Sequence, residues 1–337
     1  MNISVIIPIY NVERFVERCI TSIMNQTCTK GVECIIVNDC TPDRSMEIVE
    51  ELVTRYDGFI KFKLLYHEYN RGLAAVRNTG LNAATGDYII HIDSDDYCGA
   101  DMLEKMYTKA IEEDADMVIA DFWRTYETDE IYSSQKVPNT VIDRIKNLLT
   151  GTLSWVVWNR MCRRSLFVDN HIESVEGIDF GEDFLLNVYL HFYATKVVHV
   201  PHAFVHYVQC NTSSYTNAMS LKSLQSILKR EKAIMSFFDN LEFKKELYPY
   251  LLEMRMFNRF TLLLHSKGAL QKEWNALYCD IPLILAFRCL LTSKLVSLYW
   301  RIPLFFASVR MLLPFNLMRK LWRTMRPALS NKVKVYE

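Results

Sequence analysis

The stretch Tyr88-Ile89-Ile90-His91-Ile92-Asp93-Ser94-Asp95-Asp96-Tyr97 is an apolar strand that ends abruptly in three carboxylates. A buried strand that closes on acids points to something positive held at its end. Two carboxylates one residue apart can converge on a hard divalent cation such as Mg2+ or Mn2+. Such an ion neutralises a diphosphate, which suggests chemistry on a nucleotide-linked substrate. The competing reading is a solvated strand-to-helix turn, with Asp95 or Asp96 as a helix N-cap. The run alone leaves both readings open.

Working upstream, Gly72 to Ala84 is an Ala-rich helix broken by Gly86, and Lys61 to Tyr66 is a strand. Ser45 to Tyr56 has helical spacing, and Glu33 to Asp39 is a strand that also ends in an acid. Val12 to Gln26 predicts a helix with Phe15, Val16, Cys19, Ile20 and Ile23 on one side, preceded by a strand over Ile3 to Pro8. Downstream, Ala100 to Glu113 reads as a helix and Met117 to Ala120 as a strand. Alternation of this kind predicts an α/β fold with a mostly parallel sheet flanked by helices. Ligands of open sheets sit beyond the carboxyl ends of the strands. The polar residues fall there: Tyr10 and Asn11, Asn38 and Asp39, Asn70 and Arg71, then Asp93, Asp95 and Asp96.

Composition narrows the class. The 337 residues are 50% apolar and carry a formal net charge of zero, enough for two domains or one with a long extension. Nine scattered cysteines without a CxxC pair argue against a disulfide framework or a zinc site, and for a reducing compartment. The chain opens directly on a strand pattern, so a leader peptide is not expected. No GxGxxG follows the first strand and no GxxxxGK[ST] occurs, which excludes the dinucleotide fingerprint and the P-loop. Pro8-Ile9-Tyr10-Asn11 stands where a sugar nucleotidylyltransferase would carry a Gly-rich loop. Phosphate charge must then be met by a metal and by basic side chains, Arg71 and Arg77 being nearest. Arg77 lies among small residues on its helix, so it either reaches over the site or forms a surface ion pair.

Four linked motifs resemble those of family 2 glycosyltransferases, in order and spacing: Val5-Ile6-Ile7-Pro8-Ile9-Tyr10-Asn11, Ile36-Val37-Asn38-Asp39, Asn70-x-Gly72-Leu73-Ala74-Ala75-x-Arg77-Asn78-x-Gly80 and Asp93-Ser94-Asp95-Asp96-Tyr97. The resemblance covers roughly residues 1 to 215. It implies a GT-A fold, a nucleotide-sugar donor (usually UDP-linked), a divalent cation (Mn2+ or Mg2+) and inversion at the anomeric carbon. By that resemblance Asp39 would bind the base, with Pro8, Tyr10 and Asn11 lining its pocket and Arg77 beside the base or phosphates. Asp93 would approach the ribose and the metal, with Ser94 beside it, and Asp95 would be the principal metal ligand. Asp183 in Gly181-Glu182-Asp183-Phe184 would be the base, supported by Glu182, although acids there also suit a helix's first turn. His206 would complete the metal's coordination, or be a strand residue with a satisfied imidazole. Ser154 to Phe167, with Trp155 and Trp158, would form part of the acceptor wall, or core. Ser213, Ser214 and Tyr215 would belong to a loop that closes over the donor. Cys40 replaces a glycine common in the family, so its loop is expected to differ.

The expected organisation is a catalytic domain over 1–215, with a nucleotide-binding half over 1–98 and an acceptor half over 99–215. A C-terminal helical extension follows over 216–280 and a basic, apolar tail over 281–337. From Ile281 to Tyr336 there are ten Lys or Arg and no Asp or Glu, but no uncharged run long enough to span a bilayer. Arg319, Arg323 and Arg326 share a helical face opposite apolar residues, which suits a helix in the membrane interface; core helices with solvated basic faces are the plainer alternative. The functional expectation is an inverting glycosyltransferase extending a glycan or lipid-linked acceptor, cytoplasmic and peripheral on the inner face of the cell membrane, with anionic lipid and no nucleic acid as partner. The rival is a catalytically inactive nucleotide- or carbohydrate-binding module.

Overall fold

The computed structural model describes residues 2–211, 220–239, 241–277, 281–292, 301–325 and 335–336. Ser213, Ser214, Tyr215, Lys294 and Arg326 lie outside them, and so does the side chain of Arg323. The chain forms two compact units, one of residues 1–144 with 154–211, the other of residues 145–153 with 212–337.

The first unit opens with β1 (Ile3–Ile9), α1 (Val16–Met24), β2 (Val32–Asn38), α2 (Ser45–Arg55), β3 (Lys61–Tyr66), α3 (Leu73–Ala83) and β4 (Tyr88–His91). It continues with β5 (Tyr97–Cys98), α4 (Met102–Glu112), β6 (Met117–Thr125) and β7 (Glu130–Ser133). Helix α5 (Val141–Leu149) carries the boundary between units. Then come β8 (Arg160–Arg163), α6 (Arg164–Asp169), α7 (Glu182–Tyr193) and β9 (Val197–Val208). The sheet order is β3-β2-β1-β4-β8-β6-β9-β5, with β7 beside β6. Strands β3, β2, β1 and β4 are mutually parallel, and β8 is antiparallel to both β4 and β6. This is the GT-A arrangement expected, a mostly parallel sheet flanked by helices.

Strand alternation covers both faces. Ile3, Val5, Ile7 and Ile9 of β1 pack with α1 residues Val16, Cys19, Ile20 and Ile23 and with α4 residues Met102, Leu103 and Met106. On the other face, Ile6, Ile35 and Val37 meet Val76 of α3 and Leu186 and Leu190 of α7. Each such fully buried aliphatic contributes about 1.5–3 kcal/mol. Helix α3 lies close on β1 because its side chains are small: a Cβ on Gly80 would stand 2.4 Å from Ile6 Cγ2. Pro8 sits in β1 beyond its last pair with β4, Ile6 with His91, so its missing N–H interrupts no bond on that side.

The second unit consists of α8 (Leu221–Phe238), α9 (Lys244–Leu264), α10 (Gly268–Ala276), α11 (Leu283–Thr292), α12 (Arg301–Ser308) and α13 (Leu312–Met325). The C-terminal helical extension is thus present. Helix α8 starts on a Ser220/Ser223 capping box. Helices α8 and α9 share a polar network in which Glu231 accepts from Arg255 Nε at 3.0 Å and from Asn258 Nδ2 at 2.9 Å, and Arg230 donates to Asn258 Oδ1 at 3.0 Å.

Candidate active site

The acids after β4 part company in the folded chain. Asp93 is partly exposed and accepts from Arg77 Nη2 at 3.1 Å. Asp95 Oδ2 accepts from Asn211 Nδ2 at 2.8 Å. Burial, helped by the Asp93 carboxylate and opposed by the Asn211 amide, pushes the Asp95 carboxyl up to about 6. Asp96 is buried, and its Oδ1 accepts from Val208 N at 2.8 Å. Helix α4 begins only at Met102, with Asp101 at its N-cap position, so Asp96 ties the strand end to β9 and caps no helix. Burial and the carboxylates of Asp95 and Asp93 hold Asp96 well above the usual range. Its Oδ2 has no hydrogen-bond partner among the described residues. Ser94 is buried between them.

Arg77 joins the two halves of the constellation. Helix α3 carries it inward, where it is 3% exposed, and its Nη1 donates to Glu182 Oε1 at 2.6 Å. One guanidinium therefore spans Asp93 after β4 and Glu182 at the start of α7. A surface ion pair, one expectation for Arg77, is ruled out by this burial. Gly181 takes φ 76° as α7 begins, and the next residues are Glu182, buried, and Asp183, partly exposed. Burial raises the Glu182 carboxyl above the usual carboxylate range; Arg77 pulls against it, and Asp183 and Asp93 add to it. Asp183 Oδ1 accepts from Phe184 N at 2.8 Å, and Asn187 Nδ2 donates to the Asp183 carbonyl at 2.8 Å. Phe184 stacks on Trp155 with ring centroids 4.7 Å apart, whereas Trp158 is a buried core residue against Phe122.

At the other strand ends, Asp39 is buried with its carboxylate turned into the protein. Oδ1 accepts from Arg71 N at 2.8 Å and pairs with His67 Nδ1 at 2.7 Å, and Oδ2 accepts from Gly72 N at 2.8 Å. These bonds fix the loop that starts α3, where Gly72 takes φ 90° and a Cβ would meet Asp179 Oδ1 at 2.3 Å. Tyr10 is 43% exposed, and Asn11 is exposed with φ 55° and donates from its backbone to Thr41 Oγ1 at 2.8 Å. Cys40 adopts φ 56°, the left-handed conformation of a glycine. Asn38 Oδ1 accepts from Thr41 N at 2.9 Å and Asp43 Oδ1 from Thr41 Oγ1 at 2.6 Å, which hold that turn despite the Cβ.

His206 is directed elsewhere. It pairs with Tyr97 across β5 and β9, stacks on that ring at 4.4 Å and bonds Glu130 Oε1 through Nδ1 at 2.7 Å. Among the described residues no three His, Cys, Asp or Glu side chains form a group able to hold a metal. The expected set of Asp93, Asp95 and His206 is therefore not assembled here; the stacking and the Glu130 bond fix the imidazole. Two residues were missed. Asn211 follows β9 by three residues, and His67 directly follows β3. Both stand at strand ends, the signal that found the others.

The comparisons with known proteins bear on the family and the fold. The model of the family "Glycosyl transferase family 2" matches residues 4–171. A putative glycosyltransferase of Bacillus subtilis, EpsH, is 31% identical over 280 residues, spanning 81% of this chain and 77% of that one. An uncharacterized glycosyltransferase of the same organism, EpsJ, is 29% identical over 85% of this chain and 78% of its own. Among solved structures, S. aureus TarS 1–349 in complex with UDP-GlcNAc superposes with a TM-score of 0.68 at 20% identity, covering 96% of this chain and 92% of that one. A GT-A fold with strand-end acids and a sequence of this likeness define a glycosyltransferase. The chain belongs to glycosyltransferase family 2.

Proposed function

We propose that this glycosyltransferase transfers a sugar from a UDP-sugar to a hydroxyl of a glycan or lipid-linked acceptor, with inversion, in cell-surface polysaccharide synthesis. The observation that carries the reading is the Arg77 bridge, which sets the acids after β4 beside those opening α7. The ligand of TarS, whose fold this chain shares, supports a UDP-linked donor.

In this reading Pro8, Tyr10 and Asn11 border the nucleoside. Asp39 holds the adjoining loop, and its Oδ2, which accepts one bond from Gly72, has the capacity to take an imide N–H as well. Asp93 and Ser94 lie toward the ribose, and Asp95 is the metal ligand. The donor set fits a divalent cation. Asp95 and Asp96 form no ion pair with any described Lys or Arg, and buried Asp96 Oδ2 is unpartnered. Mg2+ and Mn2+ are commonly held by one or two carboxylates with phosphate oxygens completing the shell, so a three-residue protein cage is not required. When bound, the cation would neutralise the diphosphate leaving group.

The transfer is a single displacement. The acceptor oxygen forms its bond to the anomeric carbon as the bond to the diphosphate oxygen breaks, and UDP departs with that electron pair. Asp183 takes the acceptor's proton. Glu182 and Arg77 are positioning residues that hold the start of α7 against Asp93. Trp155 offers an aromatic wall on the acceptor side. The C-terminal unit keeps the enzyme at the inner membrane face, where a lipid-linked acceptor would be met. The test is UDP release from a panel of UDP-sugars with Mn2+ and acceptor. Metal-dependent release from at least one donor is expected; release of GDP from GDP-sugars alone would contradict the donor assignment, and no metal-dependent nucleotide binding in calorimetry would favour an inactive binding module.

A further inference from the structure

We propose that α11 and α13 seat the C-terminal unit on a lipid surface by inserting apolar side chains, with charge attraction secondary. The inference rests on the membrane reading above and assigns it a mechanism. Helix α13 turns Asn316 and Arg319 toward the rest of the unit. Phe315 is fully buried, Asn316 exchanges bonds with Gln271 at 3.0 and 2.9 Å, and Arg319 Nη1 donates to the carbonyls of Leu263 and Ser266 at 2.9 and 2.6 Å. The opposite face presents Leu313, Leu317 and Leu321, one turn apart and 74%, 56% and 61% exposed. Helix α11 repeats the pattern with Ile284, Phe287 and Leu291, 79%, 48% and 73% exposed, and α12 packs against both helices. Singly exposed apolar residues are ordinary, but two rows spaced by helical turns call for a partner.

Charge disfavours a second copy of the chain as that partner. The segment from Ile281 to Tyr336 has ten Lys or Arg and no acid, so a second copy facing it would set cations against cations. An anionic headgroup layer is complementary. No described helix is long and apolar enough to cross a membrane, which suits helices lying in the interface. Part of the cationic charge is already engaged: Arg319 as above, and Arg301 through a 2.8 Å bond from Nη1 to the Leu291 carbonyl. This corrects the expectation that Arg319 faces the headgroups. Apolar insertion survives salt that screens surface charge.

The test is co-sedimentation of the full chain with phosphatidylcholine vesicles, with and without phosphatidylglycerol, in low and high salt. Binding to both vesicle types is expected, changing less than about threefold at high salt. The pair Ile284→Gln with Leu317→Gln should lower it at least about tenfold on neutral vesicles, and Leu291→Gln with Leu321→Gln should do the same should the first pair fold poorly. Lys320→Gln should leave binding to neutral vesicles unchanged. Binding confined to anionic vesicles and lost in salt overturns the proposal. So does a Gln pair that binds as well as the parent, or one that only converts a dimer to a monomer. The assay needs no donor or acceptor, so parallel measurement of UDP release separates failure of this inference from failure of the glycosyltransferase reading.

Discussion

Two arginines, one in each unit, put the same guanidinium to opposite uses. Arg77 in the first unit lies between two carboxylates, Asp93 and Glu182, in a cluster that carries more acid than base. Arg319 in the second meets the carbonyls that end α9, and its charge completes a helix terminus. Around Arg77, removal of the guanidinium leaves buried Glu182 without its partner, while around Arg319 it leaves main-chain carbonyls without their donor. The difference separates a region where a cation lies among several ionisable acids from one where charge is consumed by architecture. It also explains why the count of basic residues in the C-terminal segment overstates what is offered to a membrane.

The comparison is broken most sharply by truncating each arginine. Arg77→Ala should cost about 3–5 kcal/mol in urea unfolding, because Glu182 and Asp93 lose their counter-ion. Arg319→Gln should cost about 1–2 kcal/mol, since the shorter neutral amide keeps only part of the cap. Equal losses would erase the distinction.

The pH dependence of metal binding is comparable in size to the Arg319 effect. The Asp95 carboxyl sits at about 6 in the folded chain against an ordinary 3.8. The folded protein thus binds that proton more tightly than the unfolded chain does. Stability contributed there falls as pH rises from near 4 to about 6, because the unfolded chain releases that proton first while burial and the Asp93 carboxylate keep it on the folded one. A divalent cation competes with the proton, so Mn2+ affinity should weaken by about tenfold per pH unit below 6. Manganese titrations by electron paramagnetic resonance at pH 5 and 7 measure this, together with a melting shift that is larger at pH 7. A pH-independent affinity would move the metal away from Asp95.

The smallest effect expected is at Cys40. Its φ of 56° makes Cys40→Gly neutral to stabilising by up to about 1 kcal/mol, whereas a β-branched Cys40→Val should destabilise. Thermal melts of the two variants decide it.

How much of this was legible beforehand depended on range. The parallel strands β1 to β4 and the helices between them follow from runs of neighbouring residues, so periodicity found them within a few positions. Strand β8, Arg-Met-Cys-Arg, has no alternation to announce it, and it exists because β4 and β6 flank it. β5 is two residues long and is defined by its pairing with β9. The site followed the same division. Strand-end placement put Asp39, Asp93 and Asp95 among the candidates. The partners of Arg77 stand 16 and 105 residues away, and Asn211 stands 116 from Asp95, separations that no local pattern encodes. Asp96 was offered as a helix cap because the following helix was expected at Ala100; the fold instead places the Val208 N–H against it.

In the proposed reaction Asp183 takes the proton while the acids after β4 hold the donor. Asp183→Asn tests it most directly, by single-turnover sugar transfer alongside calorimetric UDP binding in Mn2+. The account predicts turnover reduced by about 10²–10⁴ with UDP affinity within about twofold of the parent. Full turnover in Asp183→Asn would contradict it.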